Sequence, residues 1–128
     1  MAIGKMTKKN IASADEVRTF SKGKVELVKV GGVVFGKATF LPGWKWSDSV
    51  GPMVGTPSCM VPHTQYHLSG RLHVVMDDGS EEEFGPGDFG NIPPGHDAWV
   101  VGDEPAVVID VTGMADYAKE SPIEETSA

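Results

Sequence analysis

From residue 24 onward the chain is a series of short β-branched, aromatic and aliphatic runs, each ended by glycine, proline or an Asp-Gly pair. Lys24 to Val30 and Val33 to Leu41 flank Gly31-Gly32 and predict a hairpin, which Pro42-Gly43 closes. Between Trp44 and Pro57 the periodicity is lost and Gly51, Pro52, Gly55 and Pro57 accumulate, so a long loop or irregular strand carrying Trp44 and Trp46 is expected there. Loops of that length inside a small domain are more often functional than idle. Ser58 to Val61 and His63 to Leu68 read as two short strands parted at Pro62, which has no N–H for a central ladder. Arg71 to Asp77 and Ser80 to Phe84 enclose Asp78-Gly79, whose residues tolerate the positive φ of a tight hairpin. After a turn at Gly85 to Asp88, strands are expected at Phe89 to Ile92, His96 to Val101 and Ala106 to Val111.

The ends read differently. Ser13-Ala14-Asp15-Glu16 has the spacing of a capping box and predicts a helical turn that stops before Gly23, and the tail from Asp116 predicts one further helical turn before a frayed end. The organisation expected is an N-terminal arm over 1–23, one β domain over 24–112 and a C-terminal tail over 113–128. Eight or so short strands with regular turns imply a sandwich or barrel, and there is no internal repeat.

Composition narrows the partners. The 128 residues suffice for one core and are too few for two, and 16 Gly with 9 Pro suits many strands and tight turns rather than a helical bundle. A net charge of −7, with no basic stripe interleaved with aromatics, argues against nucleic acid. No apolar run reaches the ~20 residues of a membrane span, and none of signal-peptide length follows Lys5, Lys8 and Lys9. A cytoplasmic protein with no membrane partner is therefore expected. The single cysteine, Cys59, agrees with a reducing compartment.

Gly87-Asp88-Phe89-Gly90-Asn91-Ile92-Pro93-Pro94-Gly95 spells G-x5-P-x-G and leads into a strand, and it resembles the second motif of the cupins. Tyr66-His67-Leu68-Ser69-Gly70-Arg71-Leu72 is similar to the end of the first cupin motif, and Asp77-Asp78-Gly79 to Pro86-Gly87-Asp88 looks like the hairpin between the motifs. The resemblance spans about residues 33 to 112. It implies an all-β fold, the cupin double-stranded β-helix or jelly-roll barrel with short flanking helical turns, and by analogy with small cupins a homodimer. It also implies an interior pocket that binds a small molecule, with or without a metal.

The family's metal ligands do not carry over in register. Counting back from Gly70 puts the glutamate position at His63 and the paired histidines at Pro57 and Cys59, while the second-motif histidine position is Ala98. What remains is Cys59, His63 and His96, the last two residues before the expected place and so on the same strand face. An alternative register that stretches the loop places Trp46 and Asp48 where the histidine pair belongs. A thiolate with two imidazoles suits Zn(II) or Cu better than the imidazole-and-carboxylate chemistry of Fe(II), with Mn and Ni as further options. Trp44, Trp46, Gln65 and His67 are the candidate ligand-binding residues. Trp44 and Trp46 flank Lys45 and face the same way if extended, whereas His67 lies ~13 Å along the strand from His63, too far to share an ion with it. His73 has no partner at ligand spacing and reads as a surface residue.

Three functions follow: a small-molecule-binding barrel, a metal-dependent oxygenase or isomerase as the resemblance implies, or a structural dimerisation module. Serine-hydrolase, nucleotide-binding and zinc-protease signatures are absent. A Cys59/His63 thiol nucleophile is conceivable, but no third member or oxyanion hole is evident.

Overall fold

Nine strands build two antiparallel sheets in the computed structural model, which describes residues 4–112 and 117–118. They are β1 (Glu16–Phe20), β2 (Gly23–Val30), β3 (Val33–Phe40), β4 (His63–Ser69), β5 (Arg71–Met76), β6 (Glu81–Phe84), β7 (Phe89–Ile92), β8 (His96–Val101) and β9 (Ala106–Thr112). The larger sheet has the order β1-β2-β3-β9-β4-β7 and the smaller the order β6-β5-β8. The result is an all-β jelly roll, as the cupin resemblance implies.

Alternation decides what lies between the sheets. Val25 and Leu27 of β2, Ala38 and Phe40 of β3, Leu72 and Val74 of β5, and Ala98 and Val100 of β8 point into one core with Ala106 and Val108 of β9. Each pair is two residues apart on its strand, the period that puts both side chains on one face. The strand carrying Val107 to Ile109 is clamped between β3 and β4, with Ala38 opposite Val108 and His67 opposite Val108 on the other side. Gly70 permits the turn from β4 to β5: its φ is +72°, and a Cβ there would meet the Pro105 carbonyl oxygen at 2.1 Å.

Three expectations are corrected. Residues 16–20 form a strand instead of continuing a helical turn: a 3-10 turn at Ile11–Ser13, capped by Asn10, ends before them, and Val17, Thr19 and Phe20 then pair along β2. The capping-box spacing was outweighed by a β-branched, aromatic segment with a ready sheet edge. The stretch expected to be a loop holds two single-turn helices, α1 (Trp46–Ser49) and α2 (Gly51–Val54). Pro52 sits in the first turn of α2, where its missing N–H costs nothing, and Gly55 ends that helix at φ +79°. Ser58 to Val61 forms no strand, only an isolated bridge between Cys59 and His96. The helical turn expected from Asp116 falls largely outside the described residues, although Tyr117 and Ala118 are described and buried.

Candidate metal centre

The alternation of β4 turns His63, Gln65 and His67 inward, and that of β8 does the same for His96, Ala98 and Val100. Cys59 reaches them by a different route. Its N–H donates to the His96 carbonyl at 2.7 Å, and its own carbonyl accepts from the Gly95 N–H at 2.7 Å. Gly95 follows Pro93-Pro94 at φ +91°, a conformation other residues rarely adopt, so the proline-glycine turn holds the Cys59 segment against the start of β8.

The outcome is that Cys59 Sγ and one ring nitrogen each of His63 and His96 lie within 4.8 Å of one another, with all three side chains buried. Cys59 Sγ and His63 Nε2 are 3.8 Å apart. Tetrahedral zinc with bonds of ~2.3 Å to sulfur and ~2.0–2.1 Å to nitrogen separates such atoms by about 3.5 Å. The cluster thus needs only a small contraction to close on an ion.

Both imidazoles are oriented by their other nitrogen. His63 Nδ1–H donates to Asp110 Oδ2 at 2.6 Å, and His96 Nδ1–H donates to the Pro93 carbonyl at 2.8 Å. A carbonyl and a carboxylate only accept, so each Nδ1 carries a proton towards its partner and the orientation of each ring is fixed. This is the arrangement by which metal-ligating histidines are held. Burial favours the uncharged forms: it pulls the His96 pKa down to about 4 against the opposing Pro93 hydrogen bond, and it pushes the Cys59 thiol up to about 11. His96 and Cys59 therefore wait as neutral imidazole and thiol, and a cation bound there would displace the thiol proton.

Trp44 and Trp46 are both buried, and with His63, Gln65, His96 and Tyr117 they line an interior cavity of about 20 Å³. That is room for about one water molecule. Trp44 stacks on Phe40 at 4.1 Å between ring centroids. His67 does not line this cavity; it lies under Phe84, rings parallel at 4.8 Å, and accepts from Gln65 Nε2 at 3.2 Å, with burial holding its pKa down to about 4. His73 is on the outside, stacked on Trp99 and bonded to Glu81. On the other side of Cys59 a second hollow, about 130 Å³, is walled by Trp46, Val50, Val54, Met60 and Tyr117.

Two residues that motif counting did not single out complete the site. Asp110 is the lone acid in the apolar run Val107-Val108-Ile109-Asp110-Val111, a signal in itself, because an acid placed where neighbours are buried needs a partner. Tyr117 covers the cluster from beyond β9, its ring 5.4 Å from that of His63. Nothing in its sequence context distinguishes it.

No family model matches the chain, and no curated protein does. Solved structures do. A structural-genomics protein from Rhizobium leguminosarum superposes with a TM-score of 0.59 at 24% identity, over 85% of this chain and 97% of that one. The polyketide cyclase RemF from Streptomyces resistomycificus matches with a TM-score of 0.59 at 18% identity, over 92% and 83%. Oxalate decarboxylase from Lactobacillus farciminis matches with a TM-score of 0.56 at 20% identity, over 88% of this chain and 35% of its own length. The fold is cupin-like. At these identities the likeness extends to the fold alone, and the chemistry has to be read from the side chains.

Proposed function

We propose that this protein is a metal-binding cupin in which Cys59, His63 and His96 hold one divalent ion, Zn(II) or Cu ahead of Mn, Fe and Ni, and present it to a small molecule. The observation that carries the reading is the orientation of the two imidazoles: each Nδ1–H is engaged by a fixed acceptor, His63 Nε2 lies 3.8 Å from Cys59 Sγ, and one ring nitrogen of each histidine lies within 4.8 Å of that sulfur. A thiol alone in a core is commonly just a small apolar residue. A thiol clustered with two imidazoles of fixed orientation is a donor set.

The test is metal content. Purified protein, stripped with chelator and reloaded separately with Zn, Mn, Fe, Ni and Cu, is expected to take up close to one Zn or Cu per chain and to lose that capacity in His63→Ala/His96→Ala. Uptake that is unchanged in Cys59→Ser, His63→Ala and His96→Ala would overturn the reading.

Three protein ligands with a position left over is the pattern of catalytic rather than structural zinc. That pattern, with the 130 Å³ hollow beside Cys59, supports a second reading as a metal-dependent enzyme, an isomerase or oxygenase. The narrowness of the interior cavity supports the contrasting reading, a structural dimerisation module. A homodimer fits either one. Tyr66, Leu68, Phe89 and Val111 lie on the outer face of the larger sheet, where Phe89 is 80% exposed and its ring lies 4.6 Å from that of Tyr66, tilted by 47°. Exposed apolar faces of this kind mark contact surfaces.

A further inference from the structure

Trp44 and Trp46 present a problem that the metal ligands do not solve. Both indoles are buried, both line the cavity beside His63 and His96, and neither Nε1–H has a hydrogen-bond partner among the described residues. An unpaired buried N–H costs roughly 1–3 kcal/mol, so two at one cavity call for an explanation.

The packing of Trp46 gives its direction. A Cβ built on Gly51 would lie 3.2 Å from Trp46 Cζ3 and 3.5 Å from Cη2, so the benzo edge of the indole rests on the backbone of α2. The edge bearing Nε1 is the opposite one and faces away from that helix. Trp44 is fixed between neighbours, its ring against Phe40 and its carbonyl accepting from the Val100 N–H at 3.0 Å.

We infer that the two indole N–H groups are the donors of a small-anion subsite beside the metal position, taking a monovalent anion of one heavy atom. The inference rests on the metal reading above and adds the class of ligand. Size sets the upper limit, since about 20 Å³ excludes any aromatic or sugar-sized molecule. Donor count sets the class. A water bound to a metal keeps one free lone pair and satisfies one N–H, whereas an anion has enough lone pairs for the metal and both indoles.

The measurement is an NMR titration of the full chain, ¹⁵N-labelled at tryptophan and loaded with Zn(II), which is diamagnetic. The three indole N–H signals belong to Trp44, Trp46 and Trp99, and the last, half-buried on the outer face of β8, is an internal reference. Fluoride is expected to shift the Trp44 and Trp46 signals saturably, to leave Trp99 in place, and to bind roughly tenfold or more weakly in Trp46→Phe. Benzoate is expected to shift none of them. Zinc uptake without movement of either interior indole by fluoride would overturn the anion subsite and leave the metal reading standing. Failure to take up zinc would overturn the metal reading, and the same titration on metal-free protein then decides the subsite: movement of both interior signals upholds it, and their stillness removes it.

Discussion

His63 Nδ1 and Asp110 Oδ2 lie 2.6 Å apart with neither side chain exposed. Asp110 Oδ1 accepts in addition from the Thr112 N–H at 2.7 Å, so the carboxylate is held from both sides. An acid here does more than neutralise charge: as an acceptor it decides which ring nitrogen of His63 carries the proton.

Replacing Asp110 with Asn is therefore expected to act through that proton. An amide rotated to donate towards His63 would favour the other tautomer, with the proton on Nε2, the atom facing Cys59. Zinc affinity, measured by competition with a chromophoric chelator, is expected to fall about 10- to 100-fold. A variant that folds and binds zinc as tightly as the parent would show that the hydrogen bond serves folding alone.

Cys59 makes metal binding depend on pH. With its thiol pushed up to about 11 by burial, it is protonated at neutrality, and each ion bound releases that proton. Zinc affinity is expected to rise about tenfold per pH unit between pH 7 and 9. Cys59→Ser should flatten the slope, and calorimetry in buffers of different ionisation enthalpy would count the proton directly.

His67 bears on acid stability. Its pKa is depressed to about 4 by burial, below the ~6.5 of an exposed histidine, so the unfolded chain binds this proton more readily than the folded one. The stability it contributes is complete above pH 6.5 and is lost as pH falls towards 4. Thermal unfolding of metal-free protein should show Tm dropping across that window. His67→Phe, which keeps a ring against Phe84, should make the drop shallower; an identical pH profile in the variant would exclude His67 as a source.

Gly70 is expected to tolerate no side chain. Alanine there combines a φ of +72° with a Cβ 2.1 Å from the Pro105 carbonyl oxygen. A loss of about 2 kcal/mol or more is expected in urea unfolding. A smaller effect would mean that the β4–β5 turn can shift away from Pro105 at little cost.

The proposed dimer is tested at Phe89. Phe89→Lys places a charge on the exposed ring position next to Tyr66 and should convert a dimer to a monomer in sedimentation without lowering Tm by more than a few degrees. A parent protein that sediments as a monomer at high concentration would remove the dimer.

Most strand positions could be read from sequence, because each turn carries its own local chemistry: Gly31-Gly32, Asp78-Gly79 and Pro94-Gly95 all fall between strands where expected. The inward direction of His63 and His96 was also legible, since strand parity is local. Residues 46–54 were misread because single-turn helices have no period to detect, and their stability comes from Trp46 packing on Gly51. β1 was misread because a capping box and a sheet edge compete for the same residues. Asp110 is 47 positions from His63, and its role follows from β4 and β9 being neighbours. The size of the cavity was beyond reach as well, because it depends on how Trp44, Trp46 and Tyr117 fill one space.

The placement of Tyr117 changes where the working unit ends. A chain cut after Thr112 would retain every strand among the described residues, yet it would lack the ring that stands 5.4 Å from His63 and closes one wall of both hollows. Such a shortened protein would also lose the packing of that ring on Phe20 and Phe40 and would open the proposed metal position to solvent. Minimal fragments and purification tags are therefore best chosen to leave the carboxyl-terminal segment whole.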